Sequence, residues 1–544
     1  MSIIIMRCLF LKKIFGVVLT ILLVAMVLIV RLVMIITDDK ILSVSSVNGS
    51  YTIKVMTKYA DIYDCNMDLL VNRLYKYNAV IIPNHISSIK LQPFIVDKES
   101  YYNGIKGTVP FLCEVKEDVL QTDINAIIFQ SAVRNTSDQP ATHIVGYSVE
   151  NNGVCGIEKA YNDFLKDNST LNSVTFQVDA KGNVLNGLGQ NKCIHKNTEA
   201  GVITTLDMNM QQICESAFST HNISCGAAVV MDIRTGEVKA SVSYPNYDIT
   251  NISEYINDSS SPFLNRVTSA YSVGSIFKLV TAAAAMEQGI SSEFSYNCTG
   301  SINVNGQIFN CHKWGGHGEL DMNKAMVESC NTYFIALSEY LDKEKYIKLA
   351  SALGFGSEII LCNSIVSDKG NLQTVENIMV PAELANMSFG QGKLLATPLQ
   401  ICRMTAAIAN DGVINMPSLI KGLKEDDGKI IYEKVSAGER VLSYKTVVKL
   451  KAFMRNVVGA DNSYSAPEKT SAAGKTSTAQ TGSFDKNGNE VYNCWFTGFF
   501  PSYNPKYAVT VMIEGGISGN QNAGPVFKQI ADEITEYEKS LRNN

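Results

Sequence analysis

Ser275 and Lys278 open an apolar, alanine-rich run, "YSVGSIFKLVTAAAAMEQG". In a helix, residues at i and i+3 share a face, with Cβ atoms roughly 5–6 Å apart. A lysine buried on that face is pushed towards the neutral amine, and a neutral amine can take the proton of a serine hydroxyl. The helix N-terminus adds a positive field that favours negative charge on the serine oxygen. The pair therefore has the makings of a serine nucleophile with its own base. A capping serine followed by a lysine laid over apolar surface would have the same spacing, so this motif alone does not decide.

Two more short motifs decide. "ESCNTYF" supplies Ser329, Cys330 and Asn331 as an S-x-N, and "AGKTSTAQTG" supplies Lys475, Thr476 and Ser477 on a strand-prone stretch. S-x-x-K, S-D-N and K-T-G together are the signature of penicillin-binding proteins and class A β-lactamases. The chain resembles a class B penicillin-binding protein, a monofunctional, membrane-anchored peptidoglycan D,D-transpeptidase, with features of sporulation-type and zinc-type members. The resemblance runs through "LNRVTSAYSVGSIFK", "SFGQGKLLATPLQ", "IANDGVINMP" and "WFTGFFPSYNPKYAVTVMIEGG", and in the N-terminal part through "ADIYDCNMDLL" and "GVCGIEKAYNDFL".

The resemblance implies a role for each residue. Ser275 attacks the carbonyl of a D-Ala-D-Ala stem peptide and forms an acyl-enzyme, with Lys278 as its base. Ser329 relays a proton to the leaving amine, and Asn331 binds the substrate amide. Lys475 and Thr476 hold the terminal carboxylate as a cation and a hydroxyl donor. Ser477 lies in the same substrate-binding stretch, and the N–H groups of Ser275 and Thr478 flank the oxyanion. An amine from a second stem peptide then takes the acyl group; β-lactams imitate D-Ala-D-Ala and stall at the acyl stage. Acyl transfer of this kind needs no cofactor. The implied partner is a polytopic glycan polymerase bound through the anchor and the N-terminal module.

The chain also departs from the family. Ser477 stands where glycine is usual, and its Cβ predicts a narrower approach for a substrate backbone and slower acylation by bulky β-lactams. Val273 and Ile276 replace a common proline and threonine. Tyr59 and Ala60 stand at the N-terminal module's usual Arg-Gly pair.

A second cluster lies beside the first. Of thirteen cysteines and six histidines, Cys298, Cys311, His312, His317 and Cys330 gather in one short region. Thiolate and imidazole are the ligands of tetrahedral zinc sites. Cys311, His317 and Cys330, with Cys298 or Asp321 as the fourth, would hold a structural Zn²⁺ behind the S-x-N motif. A redox pair of Cys311 and Cys330, suggested by the likeness to sporulation-type members, and buried free thiols are the competing readings.

These residues need a large frame. At 544 residues the chain is long enough for more than one domain, and a net charge of −5 with no long basic run argues against nucleic acid as partner. Arg7, Lys12 and Lys13 precede an apolar run from Ile14 to Ile36, which as a helix would rise roughly 35 Å and span a bilayer. The positive-inside rule then places residues 1–13 in the cytoplasm as a tail, 14–36 in the membrane as an uncleaved anchor, and the remainder outside the cell. Residues 37–200 read as an irregular β-rich pedestal, dimerisation-like, and 201–544 as the transpeptidase domain.

Within that last part, Asp207 caps a helix over 204–218 and "GAAVVMDIRTGEVKASVSYP" is a β-hairpin. Thr397 and Pro398 start a buried helix that Gly412 stops. Two strands joined through a proline-containing turn precede a terminal amphipathic helix. The fold class is therefore α+β: a penicillin-binding/serine β-lactamase-like antiparallel sheet flanked by helices.

Two rival functions remain. A β-lactamase or β-lactam sensor shares the chemistry, but no E-x-x-L-N motif supplies a deacylating glutamate and the pedestal would be unexplained. A catalytically weak cell-wall scaffold would not need Ser275, Lys278, Ser329, Asn331 and Lys475 together.

Overall fold

The computed structural model describes residues 2–37 and 49–543, apart from 84, 123, 125, 150–151, 180, 182, 186–190, 196–198, 435, 485 and 487. The first residues of the expected pedestal, 38–48, lie outside them. The N-terminal run is one helix, Ser2–Thr37. Within it, Lys13–Met34 is long and apolar enough to cross a membrane and is 0% buried.

The chain divides into two compact units. One comprises Met1–Lys58, Tyr75–Ala132 and Thr170–Asn197. Its strands form two three-stranded sheets: Thr170–Gln177 sits between Ser50–Lys58 and Asn191–His195, and Leu74–Ile81 sits between Phe111–Val115 and Ile127–Val133. Side chains alternate across the latter strand. Ala79 and Ile81 pack with Leu91, Tyr101 and Val115, whereas Val80 packs with Ile53, Phe129 and Phe176.

The other unit comprises Tyr59–Leu74, Val133–Ser169 and Thr198–Asn544. Its centre is an antiparallel five-stranded sheet of β1 (Gly226–Asp232), β2 (Val238–Tyr244), β3 (Ala473–Phe484), β4 (Glu490–Phe500) and β5 (Tyr507–Glu514), in the order β2-β1-β5-β4-β3. Both faces are covered, which is why β1, β4 and β5 read as nearly continuous apolar runs. Helices α1 (Met208–Thr220) and α7 (Gly524–Asn543) bury Cys214, Phe218, Phe527 and Ile530 against Ala228, Val230, Phe496 and Val511.

The opposite face of the sheet meets α2 (Lys278–Glu287), α5 (Pro398–Ala409) and α6 (Tyr444–Val458). There Ala227, Val229, Trp495 and Met512 join the largest apolar core. Two short helices, α3 (Met322–Val327) and α4 (Asn331–Ser338), complete the frame of the motifs.

Local signals set the helix ends. The Asp207 side chain accepts from the N–H groups of Asn209 and Met210 at the start of α1. Thr397 and Gln400 form a reciprocal capping box at α5, with Pro398 in its first turn. The expected hairpin is present: β1 and β2 pair antiparallel, and Gly236 takes φ +79° in the turn between them.

The nucleophile segment differs from the expected helix in one respect. Gly274–Phe277 forms a 3₁₀ turn, and regular α-helix begins only at Lys278. Gly274 has φ +62°, and a Cβ there would lie 2.4 Å from Ser477 Oγ, so only glycine fits this tight lead-in.

Candidate active site

Ser275 sits half-buried in the 3₁₀ turn, immediately before the buried start of α2. The segment leading to it is tied down from several directions. Tyr271 and Ser272 pair with Ala396 and Leu395, and the Gly274 N–H donates to Gly390 O at 2.8 Å. Trp495 Nε1 donates to Ser272 O at 3.0 Å, and Ser477 Oγ donates to Val273 O at 2.8 Å.

Lys278 is fully buried. Its Nζ lies 2.6 Å from Ser329 O, 2.7 Å from Asn331 Oδ1 and 3.2 Å from Ser329 Oγ. Burial, reinforced by the nearby charge of Lys475, holds its pKa well below the ordinary lysine value. In the neutral amine, two N–H groups satisfy the two carbonyl oxygens and leave the lone pair for a hydroxyl. Ser275 Oγ is not among the three partners of Lys278 in this arrangement.

Lys475 completes the polar centre. It is 1% exposed, and its Nζ lies 3.1 Å from Ser329 Oγ and 3.0 Å from Thr476 O. Burial alone pushes it down to about 7. Ser329 Oγ therefore bridges two lysines. Ser329 reaches this position through a left-handed backbone, φ +52°, between the end of α3 and the start of α4. A non-glycine residue held there carries strain, and such strain gathers at working sites. Here it turns both the carbonyl and the hydroxyl of one residue towards Lys278.

Thr476 is half-buried and Thr478 exposed on β3, with Thr478 Oγ1 accepting from Gly519 N–H at 3.1 Å. Ser477 alternates inward: it is 2% exposed, and its hydroxyl faces the nucleophile turn. Its side chain is turned into the protein, whereas the sequence led us to expect it to narrow the approach along the strand.

The thiol cluster is also assembled. Cys298 ends a short strand, Tyr296–Cys298, paired with Gly318–Leu320, which brings it beside His317. Cys330 is the residue before α4. His317 Nδ1 lies 3.5 Å from both Cys298 Sγ and Cys311 Sγ, and Cys311 and Cys330 sulfurs are 3.8 Å apart. The four ligand atoms lie within 4.8 Å of one another. A tetrahedron with metal–sulfur bonds of about 2.3 Å has edges of about 3.75 Å, so these separations fit zinc.

The two thiols share a hydrogen bond that pushes Cys311 down and Cys330 up, and burial keeps the His317 imidazole below its usual pKa. Cys298, rather than Asp321, is the fourth member: its Sγ lies within 4.8 Å of the other three ligand atoms, while the Asp321 carboxylate caps α3 by accepting from Lys324 N–H at 2.8 Å. His312 lies 3.9 Å from Cys311 Sγ, outside the foursome.

Lys278 and Lys475 meet at the Ser329 hydroxyl, Asn331 joins them through Lys278, and Ser275 stands in the 3₁₀ turn just before Lys278. Trp495, Gly390 and Glu328 were missed. Glu328 Oε2 lies 3.8 Å from His317 Nε2, a buried nitrogen with no hydrogen-bond partner. The strings "SFGQG" and "CWFTGFF" carried the signal for the first two, but their contacts depend on register and long-range pairing.

The family model for the penicillin binding protein transpeptidase domain matches residues 226–532. Peptidoglycan D,D-transpeptidase MrdA of Haemophilus influenzae is 27% identical over 430 residues, covering 70% of this chain and 62% of that protein. Stage V sporulation protein D of Bacillus subtilis is 29% identical over 410 residues, covering 72% of this chain and 61% of the other. The chain thus spans little more than three fifths of these relatives' length. Among solved structures, the ceftriaxone acyl-enzyme of penicillin-binding protein A from M. tuberculosis has a TM-score of 0.64 at 20% identity, covering 88% of this chain and 98% of that one. A motif trio gathered around one serine, on a sheet and helices that the family model spans, places the chain in the penicillin-binding protein transpeptidase family.

Proposed function

We propose that the protein is a membrane-anchored D,D-transpeptidase that cross-links peptidoglycan stem peptides through Ser275 and is acylated by β-lactams. The observation that carries this is the polar centre: two buried lysines, Lys278 and Lys475, joined by the Ser329 hydroxyl.

Ser275 Oγ forms a bond to the penultimate D-Ala carbonyl, and its proton passes to Lys278. The C–N bond to the terminal D-Ala then breaks, and the proton returns to the leaving amine through Ser329 Oγ, which lies within reach of both lysines. Asn331 holds Lys278 by its Oδ1 and offers its amide to the substrate. Lys475 and Thr476 bind the terminal carboxylate, and the N–H groups of Ser275 and Thr478 stabilise the oxyanion. A second stem peptide's amine reverses the first half-reaction and leaves the cross-link.

The charge pattern around the anchor sets the topology, with Arg7, Lys12 and Lys13 cytoplasmic and everything after the span outside. A polytopic glycan polymerase supplies the strands. Cys298, Cys311, His317 and Cys330 would hold a structural Zn²⁺ bracing the residue between Ser329 and Asn331, with the Glu328 carboxylate 3.8 Å behind His317 Nε2. Such an ion would supply rigidity and take no part in acyl transfer.

Intact-mass analysis of the detergent-solubilised full chain with benzylpenicillin tests the reading. A persistent adduct that is absent in Ser275→Ala is expected. An adduct lost together with penicillin hydrolysis would mean a β-lactamase, and none at all would mean a scaffold. Elemental analysis should give one zinc per chain and none in Cys311→Ser; zinc-free wild type with titratable thiols, or with a Cys311–Cys330 crosslink, would refute the metal.

A further inference from the structure

Ser477 and Trp495 are direct cross-strand partners in the β3–β4 ladder. Their side chains donate to consecutive carbonyls of the segment entering the nucleophile turn. Ser477 Oγ reaches Val273 O at 2.8 Å and Trp495 Nε1 reaches Ser272 O at 3.0 Å. Ser477 is 2% exposed and Trp495 and Val273 are 0% exposed, so bulk water does not replace the Ser477 donor at Val273, while Ser272 is half-buried. The next residue, Gly274, is fixed from the other side by Gly390 and has no room for a Cβ against Ser477 Oγ.

We infer that the Ser477–Trp495 pair is a two-point clamp that positions Ser275 for attack. The two residues are positioning residues: they touch the nucleophile turn, and the substrate is not among their partners. This rests on the acylation chemistry proposed above. It gives the serine at 477 a purpose that the glycine usual in the family could not serve. The Ser477 hydroxyl donates to the backbone that carries the nucleophile and faces inward from β3 rather than out at its open margin. The same register couples the third motif to the first. Lys475 and Ser477 project to the same side of β3, so the strand that presents the carboxylate-binding cation also holds the attacking oxygen in place. Removing the Ser477 donor leaves the buried Val273 carbonyl without that partner, and removing either donor frees the turn to shift.

Stopped-flow acylation by a chromogenic cephalosporin, on the full chain in detergent, separates non-covalent affinity from the acylation rate constant. Counting sites with labelled penicillin restricts the rate to folded molecules. Wild type must acylate; if it does not, the functional reading fails and the clamp is not reached. With wild type active, Ser477→Ala is expected to slow acylation at least tenfold with affinity changed less than about twofold, since small misplacements of a nucleophile cost up to about a hundredfold. Trp495→Phe should act in the same direction. The double variant should lose less than the product of the two, because the donors hold one turn.

An unchanged acylation constant in Ser477→Ala would overturn the inference. So would a loss confined to affinity, which would make Ser477 a substrate contact. If Ser477→Ala does not accumulate folded protein, Trp495→Phe alone decides by the same split.

Discussion

A lysine ammonium in a dry site loses the hydration that stabilises its charge, and Lys475, pushed down to about 7, carries that cost. Its ordinary value is 10.5, so between about 7 and 10.5 the unfolded chain binds a proton that the folded chain has released. Stability therefore rises with pH across that window and is flat with respect to this group below about 7. Thermal melts of wild type should climb from pH 7 to pH 9, while Lys475→Met should be more stable at pH 7, flatter with pH, and inactive. The charged form is also the one that attracts a carboxylate. Acylation by carboxylate-bearing β-lactams should fall as pH rises past about 7, and Lys475→Arg, always charged, should lack that limb in a pH–rate profile. Ser329→Ala removes the hydroxyl shared by both lysines, and acylation should drop by about a hundredfold or more, with unchanged far-UV circular dichroism.

Caps and turns decide how well these residues are presented. Thr397 and Gln400 satisfy each other's backbone N–H at the buried head of α5, so Thr397→Ala should cost about 1–2 kcal/mol in denaturant unfolding without changing the slope. This cap was legible in the sequence, as were the Asp207 cap, the β1–β2 hairpin and the three catalytic motifs, because each is specified by residues a few positions apart. The 3₁₀ lead-in at Gly274 was not, since the need for glycine there comes from its φ of +62° and from the packing of Ser477 and Ala479 of β3 behind it. Neither was the inward turn of Ser477. A strand sequence gives the alternation of faces but not which face meets the nucleophile, and that depends on pairing with Trp495 across the ladder. The thiol–imidazole foursome was half legible: residue types and proximity named it, but choosing Cys298 over Asp321 required the strand pairing that brings Cys298 beside His317.

The sheet of the larger unit is covered on both faces and carries the candidate site at one margin, while near the N-terminus one helix among the described residues is long and apolar enough to cross a membrane. Carbonate washing at pH about 11 releases peripheral proteins but should leave this one in the pellet, as a spanning helix requires. Protease added to intact spheroplasts should remove epitopes beyond the span and spare those before it. β3, the strand bearing Lys475 and Thr476, is the terminal strand of its sheet, and its pairing with β4 slips between Gln480 and Phe484. An open strand margin is ordinarily a hazard, because any extended chain can add to it. The irregularity ends the regular rim after Gln480, leaving six residues from Lys475 with room for an added peptide of about 20 Å. The margin is thus short and interrupted, and it gives the long extended segments of an unfolded protein no continuous edge to grow along.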